Sequence, residues 1–256
     1  MLTCLGVGDG MSNADRNHSA YVYQFGDASL LVDCGEPVGR SFRQAGFSSE
    51  TLDALLLSHL HSDHFGGLFM LLQGFWLEQR RKPLPIHLPL DGLQPIRRML
   101  EVANLVEELL PFPVSFEPWQ SGQPVTHAKV RVTPYPTGHL ESLRQLLQAR
   151  HPGQYAAFCF LLEHEGVRVG HSADLGEPAD LAPLLVRPLD LLVCELSHFT
   201  IQDICAYLAG RPIKKIVFTH LARGYWEDFE GTRAAVRRLL PGMNVTFALD
   251  GDVFSL

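Results

Sequence analysis

Residues 58–67 read SHLHSDHFGG and follow directly on the apolar run LDALLL. Three histidines and an aspartate (His59, His61, Asp63 and His64) fall within six positions, at the end of a stretch whose composition favours burial. Polar groups placed there need partners, because leaving them unpaired in an apolar setting costs about 2–7 kcal/mol each. In extended chain His59 and His61 project to the same side, since strand side chains alternate. Asp63 and His64 then enter the turn before a helix, where Gly66 and Gly67 let backbone segments come close. Imidazole and carboxylate are the ligand set of zinc and related divalent ions. Two geometries within six residues suit two metals better than one. A helix start capped by Asp63 would need only one of the four residues.

This segment supplies too few ligands, so others should recur downstream at strand ends. His139 in PTGHLES, Asp174 in HSADLGEP and His220 in VFTHL fit that requirement. Apolar runs of strand length occupy 19–26, 28–35, 52–59, 129–137, 155–166, 167–174, 189–196, 213–220 and 244–256, with Gly166 and Gly251 placed for hairpin turns. Helical patterns occupy 68–80, 91–105, 201–210 and 226–240. Strand pairs followed by a strand-then-helix rhythm point to two mixed sheets stacked face to face, with helices outside them. No repeat, low-complexity tract or linker divides the chain, so residues 1–256 are expected to form a single domain.

At 46% hydrophobic and 19% charged residues, the chain has ample core material. A formal charge of −7 disfavours a polyanion such as nucleic acid as partner, because binding a phosphate backbone rests on clustered Lys and Arg. Arg80-Arg81-Lys82, Arg97-Arg98 and Arg237-Arg238 read as solvated faces. Five scattered cysteines in apolar contexts suit buried free thiols in a reducing compartment. With no signal-like start and no apolar segment of spanning length, a cytoplasmic protein without membrane association is expected. GVGDG at 6–10 reads as a tight turn after a first strand. His18, His87, His127, His151 and His164 have no motif context and read as structural or surface residues, while His171 could stand just outside the metal cluster.

LLVDCGE with Asp33, SHLHSDHFGG, TGH ending at His139, SADLG with Asp174 and FTHL with His220 stand in the order of the motifs of metallo-β-lactamase-fold hydrolases, which the chain resembles over nearly its whole length. The resemblance implies a four-layer αβ/βα sandwich with a dinuclear site along one edge. It implies that His59, His61 and His139 hold one ion, that Asp63, His64 and His220 hold the other, and that Asp174 bridges them. Asp33 would orient ligands from behind. Zinc suits this set, and manganese or iron can occupy such sites. Asp174 and His64 stand where secreted β-lactamases of this fold usually carry other residues, which points away from antibiotic hydrolysis.

Within the superfamily, LGVGDG followed by RNHSAYVY, and DGDVFSL near the C-terminus, resemble the ribonuclease Z and phosphodiesterase branch. That likeness implies a metal-dependent hydrolase using a hydroxide held between two metals on a small phosphodiester, with Asp63 taking part in catalysis. His198 would serve the leaving oxygen and Glu195 would orient it. In an alternative reading, Thr200 and Asp203 simply start a helix beside His198. The segment from His139 to Asp174 has room for only a short polar helix, whereas tRNA-processing enzymes of this branch carry a long arm. The alternatives are ribonuclease Z-like RNA processing, hydrolysis of a thioester or lactone, or a non-hydrolytic accessory role on the same fold. Homodimers are common among such relatives, so a homodimer is a further expectation of the likeness.

Overall fold

The computed structural model describes residues 1–256. Its strands are β1 (Leu2–Gly6), β2 (Ala20–Phe25), β3 (Ala28–Val32), β4 (Ala54–Leu56), β5 (Leu84–Leu88), β6 (Val114–Pro118), β7 (Val125–His127), β8 (Val130–Thr137), β9 (Ala157–His164), β10 (Val167–His171), β11 (Leu191–Leu196), β12 (Ile216–Leu221), β13 (Val245–Phe247) and β14 (Val253–Phe254). The helices are α1 (Val38–Gln44), α2 (Ser62–Phe65), α3 (Leu68–Leu77), α4 (Leu93–Val102), α5 (Glu141–Leu147), α6 (Ile201–Leu208), α7 (Arg223–Glu227) and α8 (Phe229–Leu239).

The strands form two seven-stranded sheets, ordered β14-β1-β2-β3-β4-β5-β6 and β13-β12-β11-β10-β9-β8-β7. Helical crossovers join the parallel neighbours; the antiparallel pairs are the tight hairpins β2–β3, β7–β8 and β9–β10, the pairs β1–β2 and β8–β9 joined by longer segments, and the terminal pair β14–β1. Alternation along the strands sorts the side chains. Leu30, Val32 and Leu56 face Phe160, Val193 and Val217 across the gap between the sheets. Leu31 and Leu55 point outward under α1, α3 and α4, and Leu192 and Phe218 point outward under α6 and α8. The result is the four-layer αβ/βα sandwich of two mixed sheets that the sequence implies.

Two expectations are corrected. Gly251 does not turn a hairpin: β13 runs parallel to β12 in the second sheet, while β14 pairs antiparallel with β1 in the first. The Asp250 carboxylate accepts from Val7 N at 3.0 Å and Asn17 N at 2.6 Å, which carries the chain across between the sheets. Arg80 is not on a solvated face. Its side chain is fully buried and donates to the carbonyls of Ser49, Leu52, Lys82 and Pro83. The five cysteines are buried free thiols, as expected. No helix is long and apolar enough to cross a membrane.

Candidate metal centre

Loops beyond the strand ends of both sheets converge on one edge. Asp33 follows β3, and His59 and His61 lie between β4 and α2, which carries Asp63 and His64. From the second sheet come His139 after β8, Asp174 after β10, His198 after β11 and His220 near the end of β12. Close backbone approach makes this convergence possible. A Cβ on Gly35 would lie 2.1 Å from Asp63 O, and one on Gly67 would lie 2.8 Å from Cys34 O, so the chain needs glycine at both. Asp33 and His220 take φ of +57° and +51°, where β-carbon crowding is costly and tertiary contacts must hold the backbone.

All seven expected ligands come together. The donor atoms of His59, His61, His139 and Asp174 lie within 4.8 Å of one another, as do those of Asp63, His64 and His220. Asp174 stands between the two groups. Its Oδ2 lies 3.7 Å from His59 Nε2 and 3.5 Å from His139 Nε2, and its Oδ1 lies 3.4 Å from both His64 Nε2 and His220 Nε2. Asp63 Oδ2 is 3.4 Å from His64 Nε2 and 3.8 Å from His220 Nε2. His61 Nδ1 and His139 Nε2 face each other at 3.1 Å.

These residues fit divalent ions. His59 Nε2, His64 Nε2 and Asp174 Oδ1 are buried without a hydrogen-bond partner, an arrangement folded chains otherwise avoid. Two atoms each about 2.1 Å from one ion at a tetrahedral angle are about 3.4 Å apart, which matches the spacings around Asp174. Burial pushes His59 well below its usual pKa and His139 down to about 4, so both keep a free lone pair at neutral pH. Burial opposes charge on His64 too, but Asp174 and Asp33 outweigh it and hold His64 well above its usual value. A cation bound there would displace that proton.

The opposite edges of the rings are tied down. His64 Nδ1 donates to Asp33 Oδ2 at 2.7 Å, which leaves Nε2 aimed at the centre. Asp33 also accepts from Ser58 N at 2.7 Å and Ser58 Oγ at 2.8 Å, and Ser58 Oγ lies 3.0 Å from His59 Nδ1. Ser19 Oγ lies 3.0 Å from His220 Nδ1. Sequence reasoning missed Ser19 and Ser58. The only signal available was the position of Ser58 directly before the first histidine. His171 is buried behind the cluster, with Nδ1 2.8 Å from Tyr23 Oη.

Glu195 is buried and accepts from the backbone N–H groups of Leu175, Ser197 and His198. His198 Nδ1 lies 2.8 Å from Glu195 Oε2, and its Nε2 is 3.9 Å from Asp174 Oδ2. The ring is about one-third exposed, which leaves Nε2 open to a bound molecule. Burial works against its charged form, but the bond and charge of Glu195 outweigh this and raise its pKa. Thr200 does cap α6 by accepting from Asp203 N, so the helix start and the His198–Glu195 pair coexist.

Fold and site together define a metallo-β-lactamase-fold chain with a metal-binding edge of histidine and aspartate. The family described as anti-Pycsar protein Apyc1 matches residues 1–180. The ribonuclease Z of Bradyrhizobium diazoefficiens is 31% identical over 298 aligned residues, covering 97% of this chain and 98% of that protein. The ribonuclease Z of Archaeoglobus fulgidus is 29% identical over 139 residues, 54% of this chain, and the match spans only 44% of that protein's length. Among solved structures, the metallo-β-lactamase fold protein YhfI of Bacillus subtilis superposes with a TM-score of 0.76 at 22% identity, covering 99% of this chain and 97% of that one. Zn2+-bound PqqB of Methylobacterium extorquens gives 0.76 at 16% identity, covering 100% and 99%. The chain belongs to the Apyc1 family, in the ribonuclease Z and phosphodiesterase branch of the metallo-β-lactamase superfamily.

Proposed function

We propose that this chain is a dinuclear metal-dependent hydrolase of small phosphodiesters, built as one domain over residues 1–256. The observation that carries this reading is the placement of Asp174, with each carboxylate oxygen turned to a different group of histidines. His59, His61, His139 and Asp174 would hold one ion, and Asp63, His64, His220 and Asp174 the other. Zinc suits this donor set best, and manganese or iron are the alternatives. When bound, two such ions polarise a phosphoryl group and make water a nucleophile near neutral pH.

The protein's own part is positioning and proton handling. Asp33 and Ser58 fix the rings of His64 and His59, and Ser19 fixes that of His220. His198, held by Glu195, presents Nε2 on the open side of Asp174, where it can give a proton to the departing oxygen. The raised pKa of His198 favours the form that carries that proton.

Three features support a small substrate. Between His139 and Asp174 the chain makes only α5 and the β9–β10 hairpin, with no projecting arm. The alignment to the Bradyrhizobium ribonuclease Z runs to 298 positions against a 256-residue chain, so that relative carries segments this chain lacks. A net charge of −7 adds no electrostatic pull on RNA. The same near-complete alignment favours a second reading, ribonuclease Z-like processing of RNA.

The deciding experiment compares the metallated chain on bis(p-nitrophenyl) phosphate, a panel of linear and cyclic phosphodiesters, a precursor tRNA, and thioester and lactone substrates. Chelator-sensitive turnover of small phosphodiesters, lost in His198→Ala and kept in the exposed variant His151→Ala, is expected. Faster cleavage of the precursor tRNA would establish the second reading. Ester turnover insensitive to His198, or full metal occupancy with no turnover at all, would overturn both.

A further inference from the structure

Two of the expected ligands stand in loops that share a carboxylate outside the centre. His139 follows β8 and Asp174 follows β10, and these strands are not neighbours, because β9 lies between them in the sheet. Beyond the strand ends the two loops nevertheless meet backbone to backbone. A Cβ on Gly176 would lie 2.3 Å from the carbonyl carbon of Gly138, so the approach requires glycine there. Thr137 Oγ1 donates to Asp174 O at 2.8 Å, which makes one tie between the loops.

Asp180, in the single helical turn Pro178–Leu181, makes the other. Its Oδ2 accepts from Gly138 N at 2.9 Å, Gly176 N at 2.8 Å and Glu177 N at 3.2 Å. Gly138 directly precedes His139, and Gly176 lies just beyond Asp174. No backbone carbonyl accepts from any of these three N–H groups, so one oxygen satisfies donors of both loops. Capping the helical turn needs only the bond from Glu177. The bond from Gly138, 42 residues earlier in the chain, does nothing for that turn. We infer that Asp180 is a positioning residue for the metal centre, joining the His139 loop to the Asp174 loop and so setting the spacing of two donors that would share an ion. Those donors, His139 Nε2 and Asp174 Oδ2, stand 3.5 Å apart. Donors held in place before binding favour tight uptake, because none of the binding free energy goes into ordering them. The inference rests on the dinuclear reading above.

The test is the zinc affinity of the full chain, by competition with a chromophoric chelator, together with amide hydrogen exchange of the chelated protein. Asp180→Ala is expected to weaken zinc binding about tenfold and to speed exchange at Gly138 and Gly176. Asp180→Asn keeps an acceptor oxygen without the charge and is expected to recover most of the lost affinity. Wild type that takes up no zinc would overturn the reading of the centre, and this inference with it. If wild type binds zinc, equal affinity in Asp180→Ala, or unchanged exchange at the two glycines, would overturn the inference alone and leave Asp180 as a helix cap. An asparagine variant no better than the alanine one would assign the effect to charge acting at a distance and overturn the positioning role.

Discussion

Asp33 contributes to the centre from behind it. Its carboxylate accepts from Ser58 N, Ser58 Oγ and His64 Nδ1 and touches none of the other candidate ligands, so its work is to fix a ring and raise its basicity. Asp33→Asn keeps the shape but turns an amide N–H toward a donor, and metal affinity is expected to fall about 10- to 100-fold, read by competition with a chromophoric chelator. Unchanged affinity would remove Asp33 from the site. Glu195 and His198 allow a test of sign. Glu195 raises the His198 pKa, so the proton-bearing form persists to higher pH and activity is lost only as pH climbs through that raised value. Glu195→Gln removes the charge that opposes the loss, so the alkaline limb of the kcat profile should move to lower pH. A profile that keeps its alkaline limb and loses only amplitude would assign Glu195 to holding the loop alone.

Arg80 shows an element depending on one side chain. Between α3 and β5 its guanidinium gathers the carbonyls of Ser49 and Leu52 before β4 and of Lys82 and Pro83 before β5, and burial lowers its pKa to about 10. Arg80→Met leaves those carbonyls without a donor. Each hydrogen bond from a charged donor is worth about 1.5–3 kcal/mol, so a loss of at least about 3 kcal/mol is expected, seen as a lower midpoint in urea unfolding at unchanged slope. Sequence reading placed Arg80 on the surface because composition reports charge but not which carbonyls a fold leaves unpaired. The same limit explains other differences. β5 and β6 carry prolines (LPIHL, VSFEP) that break a strand pattern, and α1 is short and holds a glycine. Asp250-Gly251 looks like a hairpin turn, yet its strands pair in different sheets, a non-local choice made by contacts to Val7 and Asn17. The metal cluster was legible because its residues are concentrated in six positions and recur at strand ends. Ser19 and Ser58 were not, because a serine becomes informative only once a histidine ring is seen beside it.

The candidate centre is a joint between the two sheets of the molecule. His59, His61, Asp63 and His64 come from the first sheet, and His139, Asp174 and His220 from the second, so an ion shared by these groups would crosslink layers that are otherwise joined by apolar packing and a few hydrogen bonds such as Ser19–His220 and Tyr23–His171. Without it, Asp174 is a buried carboxylate among histidines; it favours the charged form of His220, and together with Asp33 that of His64, against the pull of burial. Metal that binds only the folded chain stabilises it by mass action, by about 2.7 kcal/mol when free metal is a hundredfold above Kd. For a chain of this size each kcal/mol moves Tm by about 2–4 °C, so complete chelation should lower Tm by at least about 5 °C in differential scanning calorimetry. Asp174→Asn, which weakens both ion sites at once, should lose most of that metal-dependent shift, whereas His61→Ala, which removes a donor from one group only, should keep part of it. A shift equal in Asp174→Asn and wild type would show that the two groups bind independently of the carboxylate between them, and the dinuclear reading would fall with it.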